Sequence, residues 1–459
     1  MVTYQDLQKV LEGEDKIPVI DFVKSTIAKH KDSAIYQTAL VADEYNRKLN
    51  RTITQYQKLL YAASGQAVPD MYASNYKLRS NFFNRFVTQQ NQFLLGNGVK
   101  WGNDDTANKL GGDFDSKLQD AGEKALVHAV SFGFWNMDHL QVFSLLEYCP
   151  LWDEEDGSMK AGIRFWQIDD QHPLRATLYE MDGYTEYIWR KGKAGEVYQE
   201  KRPYIVKERG TNADGMEIYD GENYPGFPIV PLWGNKYHQS EFIGMRENID
   251  CYDLIKSGFA SDIDEAQEIY WVIQNAGGMD DIDLAEFMER LRTRKVVNVD
   301  DGQEVEGKTV EVPAAAREAM LDRLRADMYE DFMALDTKNL ASGAVTATQI
   351  QAAYEPLNEK ADKYEFCVLD FIDDILQLAG IEDQASFTRS MVVNTAENIN
   401  NVLAGAQYLS SDYITTKILT LLGDGDQAED VLKEIDGEDM DRFGAEEEVT
   451  ENEDAGQSA

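Results

Sequence analysis

Two adjacent carboxylates, Asp169 and Asp170, follow the strand-like run IRFWQI. Hydrolysis of a glycosidic bond needs two carboxyl groups a few ångströms apart in a cleft, and Trp166, Tyr179 and Tyr187 would supply aromatic walls. Neighbouring residues of a strand, however, point to opposite faces. The plainer reading makes the acids solvated turn residues and the rings cross-strand pairs.

Other chemistry is thin. The five histidines, His30, His128, His139, His172 and His238, show no HExxH spacing. His128 and His139 fall on one predicted helix but eleven residues apart, too far to share an ion, so no metal site is expected. Cys149, Cys251 and Cys367 form no CxxC pair and read as reduced thiols of a cytosolic chain. No GxxxxGK[ST], GxSxG or strand-to-helix GxGxxG occurs, so no nucleotide or other cofactor is expected. Among the sparse cations, Lys338 sits in a polar segment, Asp336 to Gly343, between two helical patterns. Arg317, Arg323 and Arg325 lie on a predicted helix, where surface charge and pairing of Asp322 with Arg325 are the ordinary reading.

The 459 residues carry a net charge of −39. The segment from Asp424 to Ala459 holds −13 of it, which leaves −26 on the rest. Such a chain lacks the basic footprint of a nucleic-acid reader, yet it could surround DNA without gripping it. No apolar run approaches the roughly 20 residues that cross a bilayer, and the start lacks a basic-then-apolar leader pattern. A soluble intracellular protein of two or three domains is expected.

The elements that would position these residues centre on Gln239 to Tyr270. Phe242, Met245, Ile249, Tyr252, Ile255, Phe259, Ile263, Ala266 and Tyr270 recur every three or four residues. That spacing predicts one long helix with an apolar stripe, roughly 45 Å at 1.5 Å per residue. Acids from Glu247 to Glu268 mark its other face. Residues 1–66 read as short helices, and Pro69 to Gly96 as a helix with Tyr72, Tyr76, Leu78, Phe82, Phe86 and Phe93 on one side, closed by a left-handed Gly96. Leu118 to Leu140 reads as another. Ile163 to Pro231 alternates as an antiparallel sheet, with Asp182-Gly183 and Asp220-Gly221 as turns. After the long helix, a small α/β insert (a helix at Leu284–Leu291, strands at KVVNVDD and KTVEV) precedes a second helix from Pro313, with Met320, Leu324, Met328 and Phe332 as its stripe. A third, from Thr346 to Leu378, contains Pro356, which should kink it, and stops at Gly380. Strand-like SFTRSMVV and helices at Thr395–Leu409 and Asp412–Leu422, the latter capped by Ser411, precede an acidic tail that should be disordered.

In this order the parts resemble the portal proteins of tailed bacteriophages, in the long-tailed branch. NYKLRSNFFNRFVTQQNQFLLGNGVKW, from Asn75 to Trp101, is similar to a helix ending in a YLLG-type stop. KALVHAVSFGFWNMDHLQVF and FWQIDDQHPLRATLYE resemble the family's segments before and within its sheet. FPIVPLWGNKYHQSEFIGMRENIDCYDLIKSGFASDIDE resembles its sheet-to-long-helix passage, and LASGAVTATQIQAAYEPLNEKADKYE its "S-G-x-A-x-K" passage. Asn235-Lys236 replaces a family Asn-Asn, and Thr346 to Gln349 stand where a lysine is usual.

The resemblance implies an α+β, mainly α, portal fold. Residues 1–238 would be the wing, 239–270 a stem helix, 271–312 an α/β clip and 313–335 the second stem helix. Residues 336–345 would be a tunnel loop, 346–393 a kinked helix returning to the wing, 394–436 the crown and 437–459 the acidic tail. It implies a homo-oligomeric ring of about twelve copies at one capsid vertex. Double-stranded DNA would be packaged and ejected through the ring without sequence reading, and terminase, head-completion, capsid and scaffold proteins would be partners. It further implies no catalysis, no membrane, and host cytoplasm as the place of assembly. Asp336, Thr337, Lys338, Asn339, Leu340, Ser342 and Gly343 would face DNA. Phe242, Ile249, Tyr252, Ile255, Phe259 and Ile263 would pack the stem. Another phage head protein, or a carbohydrate-active hydrolase built on the aromatic sheet, stays open as an alternative.

Overall fold

The computed structural model describes residues 2–13, 17–61, 65–71, 73–103, 105–211, 217–265, 270–274, 304–308, 313–340, 346–390, 395–423, 425, 428 and 430–435. By contacts the chain divides into two compact units, residues 1–334 with 360–389, and residues 335–359 with 390–459.

The first unit opens with four short helices, α1 (Tyr4–Leu11), α2 (Val19–Lys31), α3 (Ala34–Asn46) and α4 (Arg51–Gln55). Strands β1 (Leu59–Tyr61) and β2 (Ala67–Pro69) pair, so Pro69 sits in a strand rather than opening a helix. Residues 73–81 run extended, and α5 (Phe82–Leu95) starts only at the first phenylalanine. Tyr76 and Leu78 are exposed, so no apolar face was there to fold a helix against. Gly96 has φ −64°, and the left-handed residue is Gly98 at +73°.

The predicted helix from Leu118 to Leu140 is half helix and half hairpin. After β3 (Val99–Trp101) and α6 (Asp105–Leu110), α7 (Phe114–His128) ends at Ala129 with φ +77°. Strands β4 (Val130–Asn136) and β5 (His139–Ser144) then pair across Met137-Asp138. The alternation of Val130, Phe132 and Phe134 with small residues is a period of two, which the longer helical window concealed. His128 and His139 therefore lie on different elements.

Five antiparallel strands follow as a meander: β6 (Tyr148–Trp152), β7 (Met159–Trp166), β8 (Leu174–Glu180), β9 (Gly183–Trp189) and β10 (Glu196–Arg202). Asp182 turns the β8–β9 hairpin as the Asp-Gly signal suggests. Asp220 and Gly221 instead lie inside β12 (Glu217–Glu222), paired with β11 (Ile205–Thr211). Strand β13 (Ile229–Trp233) joins β4 and β5 in a separate three-stranded sheet. Aromatic rings fill the space between these sheets, Phe132, Phe134, Phe143, Tyr148, Tyr179 and Tyr204 among them. The Tyr148 ring lies across Gly162, where any Cβ would fall 1.8 Å from its hydroxyl oxygen. The other face of the large sheet is covered by α1 and α2 through Leu7, Phe22, Val23 and Ile27.

Helix α8 runs from Arg246 to Glu265, shorter than predicted. Gln239 to Met245 form turns, and Tyr270 begins β14 (Tyr270–Gln274), which pairs with β15 (Glu304–Lys308). The helix expected at Leu284–Leu291, the strand at KVVNVDD and most of KTVEV lie outside the described residues. Helix α9 (Ala314–Phe332) follows Pro313. After a helical turn, α10 (Thr337–Leu340), comes α11 (Ala347–Ala379), which continues through Pro356. Gly380, at φ +67°, ends α11, with Ile381 N–H returning to the Leu376 carbonyl. Strand β16 (Ala385–Phe387) pairs with β3. The main core joins α3, α5, α7, α8, α9 and the later part of α11.

In the second unit Tyr354 and Leu357 of α11 are buried, as is Leu335. Helices α12 (Thr395–Ala404) and α13 (Ser411–Leu422) pack on each other. The cap of α13 is Ser410, whose hydroxyl accepts the Tyr413 N–H at 3.3 Å, not Ser411. The acidic tail from 436 lies outside the described residues. Among the described residues no helix is long and apolar enough to cross a membrane.

Candidate assembly and channel surface

Helices α8 and α9 lie antiparallel in fixed register. Asn248 donates its side-chain amide to Asp331 at 3.1 Å, and Asp262 pairs with Arg317. Fourteen residues along one helix thus match fourteen back along the other, about 21 Å of shared length. Ile249, Met328 and Phe332 seal the end nearest the core. Tyr252 meets Phe82 of α5 edge-to-face at 5.0 Å, and the Arg317 guanidinium lies 5.8 Å from the Phe259 ring centre.

The predicted stem stripe is only partly the buried one. Phe242 and Ile249 are buried, although Phe242 precedes the helix. Tyr252, Ile255 and Phe259 are half-buried, while Ile263 is 47% exposed and Met320, expected on the α9 stripe, 43%. The most deeply covered positions farther along α8 are polar: Asp253, Ser257 and Ser261. They receive the extended segment 73–81. Asp253 Oδ1 accepts the N–H of Ser80 at 2.8 Å, Ser257 Oγ that of Leu78 at 2.9 Å, and Ser261 Oγ that of Tyr76 at 3.1 Å. Four helical residues rise about 6 Å and two extended residues about 6.6 Å, so every second N–H meets every fourth α8 side chain. Asp253, Ser257 and Ser261, polar and four apart, are thus covered rather than solvated.

In the turns that precede α8, Glu241 pairs with Lys360 of α11 at 2.7 Å. Lys360 also donates to the Phe332 carbonyl at 3.0 Å, and its Nζ lies 3.2 Å from the centre of the Phe332 ring. Asn235 donates to the other Glu241 oxygen at 2.9 Å. Burial pulls the Lys360 ammonium below the usual lysine range despite the carboxylate beside it. The group borders a cavity of about 260 Å³ that Lys236, Tyr237 and Lys363 also line.

Of the segment predicted to face DNA, residues 337–340 form the helical turn α10 rather than an open loop. Asp336 Oδ1 accepts the Lys338 N–H at 3.0 Å, an Asx turn that starts it. Thr337 and Lys338 are exposed. The side chains of Asn339 and Leu340, and all of Ser342 and Gly343, lie outside the described residues.

The carboxylate pair builds no cleft. Asp169 accepts the N–H groups of Gln171 at 2.8 Å and His172 at 2.9 Å, and the His172 ring at 2.7 Å, in an exposed turn. Tyr179 and Tyr187 belong to cores on opposite faces of the sheet.

A family profile described as "Phage portal protein, SPP1 Gp6-like" matches residues 25–441. The chain belongs to this portal protein family. The portal protein of Clostridium phage phiCD119 is 28% identical over 237 residues, 46% of this chain and 52% of that relative. The portal protein of Bacillus phage SPP1 is 22% identical over 386 residues, 77% of this chain and 74% of that relative. The match therefore spans about half the length of the first relative and three quarters of the second. Among solved structures, the neck of an empty GTA particle computed with C6 symmetry has a TM-score of 0.46 at 11% identity, covering 74% of this chain and 90% of that one. The neck of the native GTA particle computed with C12 symmetry has a TM-score of 0.43 at 11% identity, covering 73% and 89%. The portal family is a structural one, and no enzyme stands among these relatives.

Proposed function

We infer that copies of this portal family member assemble as a ring of about twelve at one capsid vertex of the virion, and that double-stranded DNA is packaged and ejected through its centre. The α8–α9 pair serves as the stem, the chain between them as the clip that meets terminase and head-completion proteins, and the segment from Asp336 as the part that approaches DNA. Residues 1–238 form the wing, 346–393 return to it, and 394–436 form the crown. Assembly on capsid and scaffold proteins takes place in the host cytoplasm. The chain is a conduit and hydrolyses nothing; ATP hydrolysis belongs to the terminase.

Beyond the family match, one observation supports this reading. The apolar stripe of the helix pair is only half covered by its own chain, with Ile263 and Met320 facing solvent. A side-by-side neighbour would cover it. An acidic wall offers DNA few phosphate-neutralising contacts and so little friction, with Lys338 as a sparse cation on the path.

Electron microscopy of the purified full-length chain tests the ring. Annular particles with a central pore are expected. Monomers under every condition, including co-expression with scaffold or capsid protein, would sink the reading.

A further inference from the structure

Against a net charge of −39, a cavity among the described residues is walled by cations and has no carboxylate in its lining. This pocket of the first unit, about 520 Å³, is bordered by Arg79, Arg85 and Lys256, with the Phe82 and Tyr252 rings as its apolar wall. Lys256 Nζ stands 5.9 Å from the centre of the Tyr252 ring, and the Arg85 guanidinium 5.6 Å from that of Tyr329. Arg79 is exposed, and neither it nor Lys256 has an ion-pair partner among the described residues. Such a wall suits an aromatic ring flanked by carboxylates.

The same unit carries that shape on another surface. Phe366 of α11 is 69% exposed, while Tyr364, Val368 and Phe371 bury the helix's other side in the core. Asp362 and Asp370 lie one turn before and after it, and Asp373 one turn further. Asp362 is held by Arg389, but Asp370 and Asp373 have no ion-pair partner among the described residues. After its own burial, their charges hold the Asp374 carboxyl above the usual range.

We propose that Phe366, Asp370 and Asp373 of one copy dock into the Arg79–Arg85–Lys256 pocket of the next copy. The contact joins two different patches, which is the head-to-tail geometry that closes a ring. Charge complementarity chooses the occupant, because Arg79 and Lys256 in the pocket, and Asp370 and Asp373 on the ridge, have no ion-pair partner among the described residues. The inference rests on the ring reading and supplies the contact that makes the ring.

The test uses two full-length variants. Arg79→Glu/Lys256→Glu reverses the pocket, and Asp370→Lys/Asp373→Lys reverses the ridge. Each alone should lower the ring fraction at fixed concentration about tenfold, by setting like charges together. Mixed in equal amounts they should restore it, because in an alternating ring every contact is either native or reversed on both sides. That recovery also shows both variants to be folded. Phe366→Ala, on an exposed ring, should lower the ring fraction as well. Intact rings in either charge variant, or no recovery on mixing, overturn the contact while native rings uphold the ring reading. Rings unchanged in Arg79→Glu/Lys256→Glu with weakened binding of inorganic phosphate or duplex DNA would make the pocket a phosphate site and equally overturn it. Native protein without rings removes both.

Discussion

The Asp253 carboxylate, wholly buried on α8, accepts the backbone N–H of Ser80 at 2.8 Å while its other oxygen takes the Asn50 amide. Burial raises its pKa, and the Asn50 and Ser80 hydrogen bonds with the nearby Lys256 charge offset only part of the rise. Truncation in Asp253→Ala strips both donors of their acceptor and should cost about 1–3 kcal/mol. Because the folded pKa lies above the ordinary 3.8, Asp253 contributes most below that value and less as pH rises through the folded one. Urea titrations should therefore show a larger penalty for Asp253→Ala at acid pH than at neutrality. An equal penalty at both would contradict the raised pKa.

Ser257 and Ser261 extend the same seam, each hydroxyl accepting one strap N–H, and the Ser261 hydroxyl also donates to the Ser257 carbonyl at 3.0 Å. Replacing either with alanine leaves a strap N–H, of Leu78 or Tyr76, without its acceptor, at about 1 kcal/mol apiece. Hydrogen exchange should speed up at Leu78 in Ser257→Ala and at Tyr76 in Ser261→Ala, with the α5 core amides unchanged. Global acceleration instead would mean that the seam holds the whole unit.

This seam also marks the limit of what could be read from sequence. Periodicity located α8 and its apolar stripe because Ile249, Tyr252 and Phe259 repeat at helical spacing. It could not find the strap, whose Tyr76 and Leu78 mimic a helical face while their N–H groups bond to another helix. Tertiary hydrogen bonds decided that segment, and local pattern does not encode them. The β4–β5 hairpin was missed for a related reason. Val130 to Asn136 is buried on both faces except at its end, so its apolar run fits a buried helix as well as a strand. Asp336 to Gly343 was recognisable as a break between helices, but the Asx turn that starts α10 depends on side-chain geometry.

Cys149 offers a clean reporter of the sheet core. Burial pushes its thiol up to about 12, so at pH 8 its thiolate fraction should be about a thousandfold below that of an ordinary thiol. Mass spectrometry after brief iodoacetamide treatment should find Cys251, only partly covered, alkylated first and Cys149 untouched until the protein is unfolded. Early labelling of Cys149 would show that helices α1 and α2 leave the sheet readily.

The Glu241–Lys360 pair can be separated from the packing around it by a double-mutant cycle. Glu241→Gln leaves a largely buried ammonium with the Phe332 carbonyl and ring but no counter-charge, a loss of about 3–5 kcal/mol. Lys360→Met strands Glu241 with only the Asn235 amide on its far oxygen, and a comparable loss follows. The double variant removes both charges and should recover most of the stability, since a desolvated pair repays little more than its own burial cost. Proton linkage provides an independent check. The Lys360 pKa lies below the ordinary 10.5, so the unfolded chain binds more protons there. The native protein should therefore gain stability over Lys360→Met as pH climbs through the depressed value toward 10.5. A flat difference across that window would mean that water reaches the ammonium and that its burial is not what holds α11 against the turns that precede α8.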